Sequence, residues 1–437
     1  MERLANGLRV LTVQNPALHS FVLSMYVHAG PRFESPDRTG LGHLVEHMLM
    51  QGSESYPTSS AIMRGIEDLG GVVDAGTYPE YVNVVFGVHR KHWRKALDIA
   101  ADVIRRPLFD EDELDQERRI IAQEISEHRD TDGRVISATE LAYCLRFRRR
   151  VDEAGSRGSR AALARYDRAV LVAYHNRFYT PSNMVVCVAG AFDRDAVLNC
   201  LGESLGDMDG NGAPQVPVAP PDGAVADRSF YRTTPALPVA DAVISRPAYA
   251  LGDASFDACR AVGHLLGGGL SSRLFSRVRE ELGLVYDIHG RAQGYSDAGT
   301  LDIVLSVNTG NLVRAVEAAL NVLRETGEKG FAEEELERYK EGIRCGVEML
   351  CDRASALADW FGRQELLLGS EGVTTPEEYA ERHESMELKD LAAAARELLS
   401  ARPSDLVVVG PYGEGELAGL RRAFPAEEVT TSGALSG

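Results

Sequence analysis

Two histidines and a glutamate near the N-terminus have the types and spacing of a metal-hydrolase site. His43 and His47 are four residues apart in a segment, 42–50, that suits a helix. This spacing places both imidazoles on one helical face, where two neutral ring nitrogens can bind one zinc ion. Glu46 lies beside them and can take a proton from a zinc-bound water. The pattern predicts metal-assisted hydrolysis; the alternative is a helix with two ordinary histidines and a solvated glutamate.

A zinc site needs a third protein ligand, and an acidic segment further along the chain offers candidates. Glu117 and Glu124 are seven residues apart, so they share one face of the helix predicted at 111–126. Leucine and isoleucine flank that face, so we expect the two carboxylates near the core, where they need partners. From these residues alone, a metal site and a surface helix with ordinary arginine salt bridges are equally supported.

The elements that position these residues recur in two similar halves. The sequence around Asn183 resembles that around Asp405, and the sequence around Phe109 resembles that around Phe331. Both pairs are 222 residues apart (405 − 183 and 331 − 109), which predicts a duplicated domain. Apolar patterns predict strands and helices in the first half: strands at 8–13, 21–27 and 184–188, and helices at 93–105 and 111–126.

Glycine, proline and aspartate cluster without periodicity near the midpoint, which predicts a linker. We therefore expect a metal-bearing domain at 1–205, a linker at 206–228 and a homologous domain at 229–437. The metal candidates are not kept 222 residues later, where the chain has Leu265, Gly268, Gly269 and Gly346. The second half is therefore expected to bind substrate or to support the structure. Small polar residues predict disorder at 430–437.

Composition and charge limit the partners and the compartment. With 47 lysines and arginines against 65 aspartates and glutamates, the net charge of the 437 residues is −18. This charge argues against nucleic acid and anionic membranes as partners. The chain lacks a membrane-length apolar run and an apolar signal-peptide stretch, so we expect a cytoplasmic protein. Six scattered cysteines without a Cys-x-x-Cys pair predict reduced, mostly buried thiols.

The stretch 40–57 closely resembles the inverzincins, metallopeptidases of the pitrilysin, insulin-degrading and mitochondrial-processing type, whose motif has the inverted order His-x-x-Glu-His. The resemblance continues through 117–125 and extends over nearly the whole chain, from residue 6 to residue 410. It implies an α+β fold of two homologous domains, each a mostly antiparallel sheet backed by helices. It also implies Zn²⁺ as the cofactor and assigns the site: His43, His47 and Glu124 as ligands, Glu46 as the base and Glu117 as support for the ligands.

In the second half, the segment 267–286 resembles the family's second-domain signature. The resemblance implies that Arg279 holds a substrate carbonyl or carboxylate and that Tyr286 donates to the oxyanion of the tetrahedral intermediate. The residues alone also allow a glycine-rich turn with a surface arginine and a core tyrosine.

The resemblance further implies that substrate adds as a strand to an edge of the metal-bearing sheet. The matching stretch, 73–77, contains Asp74 and Ala75. The family usually has asparagine where this chain has Asp74. A charge at this position changes how the backbone of a substrate peptide is bound. The alternative role of Asp74 is a turn residue that caps the end of the strand.

Together these features predict a zinc-dependent endopeptidase or processing peptidase that hydrolyses short or unfolded polypeptides. One alternative is a non-catalytic partner or scaffold subunit, although such subunits typically lose the metal motif or the arginine and tyrosine. Another is a protease dedicated to one natural-product precursor peptide. Because both motif sets occur in one chain, we expect a homodimer in preference to a heterodimer with a related chain.

Overall fold

The computed structural model of the chain describes residues 1–35, 37–147, 157–209 and 226–431. The chain forms two compact units: unit 1 comprises Met1–Ile125, Gly155–Pro217 and Cys345–Tyr379, and unit 2 comprises Ser126–Ala154, Val218–Arg344 and Ala380–Gly437. Most of the predicted linker and of the predicted disordered end lies outside the described residues. The division at 1–205, 206–228 and 229–437 therefore stays a prediction.

Unit 1 is built on a six-stranded sheet with the order β1-β2-β6-β3-β5-β4. Its strands are β1 (Glu2–Arg3), β2 (Arg9–Gln14), β3 (Ser20–Val27), β4 (Val72–Thr77), β5 (Val82–His89) and β6 (Met184–Gly190). The pair β2 and β6 is parallel, and the other neighbours are antiparallel. The strands predicted at 8–13, 21–27 and 184–188 correspond to β2, β3 and β6, and β4 forms one edge.

Unit 2 contains a second six-stranded sheet with the order β12-β7-β11-β8-β10-β9. Its strands are β7 (Arg228–Thr233), β8 (Ala240–Ala248), β9 (Asp287–Gly294), β10 (Gly299–Val307), β11 (Asp405–Gly410) and β12 (Glu428–Thr431). From the second position onward the two orders match: β2 with β7, β6 with β11, β3 with β8, β5 with β10, and β4 with β9. The matching orders confirm the predicted α+β fold of two homologous, mostly antiparallel domains.

Helices cover the sheets, and the predicted helices at 93–105 and 111–126 correspond to the third and fourth. The helices are α1 (Leu41–Leu49), α2 (Ser59–Glu67), α3 (Trp93–Arg105), α4 (Glu111–Glu127), α5 (Ala138–Arg146), α6 (Arg160–Leu163), α7 (Arg168–Phe178), α8 (Arg194–Leu205), α9 (Phe256–Gly267), α10 (Leu312–Lys329), α11 (Glu333–Cys351), α12 (Ala354–Leu368), α13 (Pro376–Glu384), α14 (Leu388–Arg396) and α15 (Glu414–Ala423). Among the described residues, every helix is too short or too polar to cross a membrane.

The sheet of unit 1 buries both faces because its central strands are apolar on both sides. On β3, side chains alternate between two cores, with Phe21 and Leu23 in the first and Val22 and Tyr26 in the second. Helices α1 and α3 pack in the first core, and α12 covers the second face against β3 and β6. The Tyr26 hydroxyl donates to the carbonyl of Ala358 on α12 over 3.3 Å.

In unit 2, α5 covers one face of the sheet by packing on β8 and β11. Asp405, at the start of β11, is fully buried and accepts two hydrogen bonds from the Arg228 guanidinium, at 2.8 and 2.9 Å. Arg146 at the end of α5 also pairs with Asp405. A buried carboxylate needs such partners. The ion pair therefore links the helix to the sheet.

Candidate metal site

The helix that carries His43 and His47 begins at a carboxylate. Both oxygens of the buried Glu34 side chain accept backbone hydrogen bonds, one from Gly40 and one from Gly42, each at 2.7 Å. The first turn of a helix has amide groups without intrahelical partners and a partial positive charge, so a carboxylate satisfies and stabilises it. Glu34 therefore fixes the start of α1. The role of this residue could not be predicted from the sequence, because its partners are backbone atoms that no residue pattern reveals.

The two histidines lie on the same face of α1, as their spacing predicts. Their ring centroids are 4.5 Å apart, and the rings are inclined by 66°. His43 is buried, with 9% of its surface exposed, and His47 is partly buried. The buried Nδ1 atom of His43 has no hydrogen-bond partner within the described residues.

Glu124 on α4 faces both rings. Its Oε2 lies 3.8 Å from Nε2 of His43, and its Oε1 lies 3.8 Å from Nε2 of His47. These distances are too long for good hydrogen bonds, yet one ligand atom from each residue lies within 4.8 Å of the other two. Zinc bonds of about 2.0–2.2 Å place two ligand atoms at most about 4 Å apart across one ion. The spacing of these atoms is therefore close to that of a shared metal ion.

Glu117 lies on the same face of α4 as Glu124, two turns earlier. It contacts Nδ1 of His47, the ring nitrogen that faces away from Glu124. Its Oε2 accepts from Nδ1 of His47 at 2.8 Å, and its Oε1 accepts from Nε2 of Gln51 at 2.8 Å. An ionised carboxylate can only accept, so His47 carries its hydrogen on Nδ1 and offers Nε2 to a metal. Gln51 follows α1 and binds the second carboxylate oxygen of Glu117, a role that was not predicted from the sequence.

Glu46 lies on the same helix and is buried, with 8% of its surface exposed. Its Oε2 accepts a hydrogen bond from Oγ1 of Thr77, at the end of the edge strand β4, over 3.1 Å. Burial raises the pKa of the Glu46 carboxyl, although His47 and Thr77 act in the opposite direction. A buried carboxylate with a raised pKa suits a general base. Thr77 is a further residue that sequence analysis missed.

The two histidines differ in their electrostatic surroundings. Burial, followed by the positive charges of His47 and Arg157, lowers the pKa of His43 to about 3. Burial also acts to lower the pKa of His47, but the hydrogen bond to Glu117 and three nearby carboxylates outweigh it, so the pKa is raised. His43 is therefore held in the neutral form, which is the form that binds metal.

These residues fit a zinc ion on their chemistry. Two imidazole nitrogens and one carboxylate are the donors found at hydrolytic zinc sites that keep an open position. His47 has a carboxylate on its outer nitrogen, as metal-bound histidines do. The Nε2 atoms of both histidines face Glu124 at distances too long for good hydrogen bonds, which leaves them available to a cation.

The other predicted site residues lie apart from this cluster in the chain. In unit 2, Arg279 lies on a π-helical segment, Phe275–Glu281, with its guanidinium 4.7 Å from the centre of the Phe275 ring. Tyr286 precedes β9 and is 79% exposed, so the alternative of a core tyrosine is wrong. The proposed roles of both residues stay predictions.

Asp74 and Ala75 lie within β4, the edge strand of unit 1. Asp74 is exposed, and its Oδ1 accepts from the backbone of Ala75 at 3.0 Å. It is the third of the six strand residues, so the alternative that it caps the strand end is wrong. Within the described residues β4 pairs with β5 alone, and its other edge is open to a further strand.

The chain thus combines a duplicated α+β fold with a cluster of two histidines and a glutamate in its first unit. Residues 9–142 match the family model described as insulinase (peptidase family M16), and residues 165–343 match the model described as peptidase M16 inactive domain. The chain belongs to the M16 family, as the resemblance to inverzincins implied.

Curated relatives span nearly all of the chain. An uncharacterized zinc protease of Mycobacterium bovis is 30% identical over 420 residues, covering 94% of this chain and 92% of the relative. The uncharacterized zinc protease YmxG of Bacillus subtilis is 26% identical over 413 residues, covering 93% and 97%. A crystal structure of a protease from Helicobacter pylori has a TM-score of 0.85 at 18% identity, with 94% and 98% covered. At that identity the structural likeness shows the shared fold.

Proposed function

We propose that this chain is a zinc-dependent endopeptidase or processing peptidase that hydrolyses peptide bonds of short or unfolded polypeptides. The observation that carries the proposal is the convergence of His43, His47 and Glu124, whose ligand atoms lie within 4.8 Å of one another. The buried carboxylate of Glu46 lies on the same helix as both histidines. The names of the zinc-protease relatives support the same assignment.

The reaction follows from what each side chain can do. When bound, Zn²⁺ acts as a Lewis acid and lowers the pKa of a bound water to about 7. Glu46, oriented by Thr77, accepts a proton from the attacking water and returns it to the leaving nitrogen. Glu117 keeps Nε2 of His47 available as a ligand. Arg279 and Tyr286 keep the roles that the family resemblance implies, namely binding a substrate carbonyl and donating to the oxyanion.

The edge strand β4 supports a peptide as the substrate. An extended peptide can add to an open sheet edge through main-chain hydrogen bonds, which tolerate many sequences. Thr77, at the end of β4, donates to Glu46, so the same strand that offers the edge also contacts the proposed base. In this proposal Asp74 and Ala75 provide part of the backbone to which a substrate strand pairs.

Two alternatives to this function are a non-catalytic subunit and a protease dedicated to one natural-product precursor peptide. The first receives some support from the match of 165–343 to a model described as an inactive domain. The ligand cluster and Glu46 count against it, because they lie in the part of the chain that matches the insulinase model. Genomic neighbours of the coding sequence would test the second.

The proposal includes a cytoplasmic homodimer, with a heterodimer of related chains as the alternative. The metal motif of the first half and the arginine–tyrosine motif of the second half both occur in this one chain. A second copy of the chain would therefore carry both motifs, and no different partner chain is needed. Size-exclusion chromatography of the zinc-loaded chain is expected to show a dimer. A single species of 47.6 kDa would contradict the dimer and leave the peptidase assignment standing.

The decisive experiment is metal analysis and peptide-library cleavage on the wild type and on Glu46→Gln. The variant is expected to keep one zinc ion and to lose cleavage by about 10²–10⁴-fold, the usual contribution of a general base. Glu67→Gln, which neutralises an exposed glutamate on α2, is the matched control and is expected to cleave normally. Unchanged cleavage by Glu46→Gln would refute Glu46 as the base.

A further inference from the structure

Arg157 contacts the proposed carboxylate ligand directly. Its Nε donates to Oε2 of Glu124 over 3.3 Å, and about a third of each side chain is exposed. The same carboxylate oxygen lies 3.8 Å from Nε2 of His43. The guanidinium therefore donates a hydrogen bond to the oxygen that faces His43. Arg157 lies outside both α1 and α4, the helices that carry the proposed ligands.

The position of Arg157 is set by a close crossing of two backbones. A methyl group added to Gly40 would lie 2.3 Å from the carbonyl oxygen of Arg157, and one added to Gly158 would lie 2.3 Å from the carbonyl oxygen of Thr39. Both glycines have positive φ, +80° and +70°, which other residues rarely adopt. Gly40 is the residue before α1, so the crossing places Arg157 beside the first turn of the helix that carries His43.

The chemistry of the guanidinium suits this contact. Glu124 faces the Nε2 atoms of both histidines, and its Oε2 also accepts from Nε of Arg157. Because a guanidinium is planar with fixed N–H directions, it orients the carboxylate to which it donates.

We propose that Arg157 is a positioning residue for the metal ligand Glu124. Its guanidinium holds the carboxylate toward the two Nε2 atoms, so the ligand is ordered before the metal binds. This inference rests on the metal site of the proposed function, and it adds a contact that supports the carboxylate ligand as Glu117 supports His47. Loss of a contact of this kind typically lowers metal affinity by about 10–100-fold.

The opposite role of the same contact is that the guanidinium competes with the metal for Glu124. The two roles differ in the sign of their effect on zinc affinity. If Arg157 orders the ligand, its removal weakens zinc binding. If it competes, its removal strengthens zinc binding. The hydrogen bond itself favours the ordering role, because Nε of Arg157 donates to the same oxygen of Glu124 that faces Nε2 of His43.

The test is the zinc dissociation constant of the full-length chain, measured by competition with a chromophoric chelator. Arg157→Ala is expected to bind zinc about 10-fold more weakly or worse, and Arg157→Lys, which keeps the charge, is expected to recover part of the loss. Guanidinium ion at millimolar concentration is expected to restore affinity to Arg157→Ala alone. The visible spectrum of bound Co²⁺ is expected to change in Arg157→Ala, because the carboxylate ligand has lost its orientation.

Arg64→Ala, which removes an exposed arginine of α2, is the matched control and is expected to bind zinc like the wild type. Unchanged or tighter zinc binding in Arg157→Ala would overturn the inference. An Arg157→Ala chain that fails to fold is replaced by Arg157→Lys and Arg157→Gln, of which the lysine variant is expected to bind zinc more tightly. The test measures zinc affinity and does not depend on cleavage. A wild type that binds zinc without cleaving peptides would refute the proposed function, and the role of Arg157 could still be measured.

Discussion

His47 donates its Nδ1 hydrogen to Glu117 over 2.8 Å, and this single contact determines which nitrogen of the ring faces Glu124. The acceptor is held in turn by Gln51, which donates to the other carboxylate oxygen at 2.8 Å. The side chain of Glu117 is 4% exposed, so water does not compete strongly for it. The pair therefore fixes the orientation of the ring and leaves Nε2 as the nitrogen that faces Glu124.

Removal of the Glu117 carboxylate is expected to weaken zinc binding without abolishing it. In Glu117→Ala, His47 loses the acceptor that selects its tautomer, so zinc affinity is expected to fall by about 10–100-fold. Chelator competition measures the effect. Gln51→Ala, which removes only the contact that holds Glu117, is expected to cause a smaller loss. Equal affinities in the wild type and in Glu117→Ala would show that this contact does not prepare the ligand.

Thr77 is expected to control the pH at which the proposed base becomes active. Burial raises the pKa of Glu46, and the hydroxyl of Thr77 opposes that rise by donating to the ionised form. Thr77→Val removes the donor, so the pKa rises further and less of the carboxylate is ionised at any acidic pH. The acid-side fall of kcat/KM is therefore expected at higher pH in Thr77→Val.

The matched control for this prediction is Thr77→Ser, which keeps the hydroxyl and removes one methyl group. Its pH–rate profile is expected to coincide with that of the wild type. A shift of the Thr77→Val profile to lower pH would show that the hydroxyl favours the protonated carboxyl, which contradicts the proposed contact.

Glu34 is expected to contribute to stability through the start of α1. Its carboxylate accepts from two backbone amides at 2.7 Å, and the side chain is buried. Glu34→Gln replaces one acceptor oxygen by an amide donor beside a backbone N–H, so we expect a loss of about 1–3 kcal/mol in the free energy of unfolding. Urea unfolding of the metal-free chain measures it.

The comparison for this variant is Glu54→Gln, which neutralises an exposed glutamate of the same unit. Exposed ion pairs contribute about 0–1 kcal/mol, so its unfolding midpoint is expected to stay close to that of the wild type. If Glu34→Gln unfolds at the same urea concentration as this control, the carboxylate does not stabilise the helix start.

The local spacing of His43, Glu46 and His47 was sufficient to predict one face of one helix, because helical geometry depends on neighbouring residues. Contacts that complete the site could not be predicted in this way. Gln51 and its partner Glu117 are 66 residues apart, and Thr77 and its partner Glu46 are 31 apart. Such pairs meet only because separate elements pack together, and a single sequence has no periodic signal for that.

The fold, too, could be predicted only in part from the sequence. The 222-residue offset predicted a duplication because repeated segments keep similar apolar patterns, and the strand orders of the two sheets match from the second position onward. The offset did not predict that α12, from the second half of the chain, covers a sheet face in unit 1, or that α5, from the first half, does so in unit 2. An amphipathic pattern shows that a helix buries a face, but it does not name the sheet that receives it.

A pair of glycine substitutions tests the packing of α12 on the first sheet. A methyl group added to Gly362 would lie 2.3 Å from Cε2 of Tyr26 and 3.1 Å from Cβ of Cys187, in a fully buried core. The backbone of α12 therefore touches the aromatic ring directly. Gly346, on α11, is exposed, and a methyl group added there meets no atom within 4 Å among the described residues. Both glycines lie inside helices.

Alanine at either position gains about 0.5–1 kcal/mol because it loses less backbone entropy in a helix than glycine does. At Gly362 the added methyl also forces the ring or the helix to move, which costs about 1–3 kcal/mol. Gly362→Ala is therefore expected to lower the free energy of unfolding, whereas Gly346→Ala is expected to raise it, as measured by urea denaturation of the two variants side by side. Equal stabilisation by both would show that α12 does not lie against Tyr26, because only that contact makes the two glycines differ.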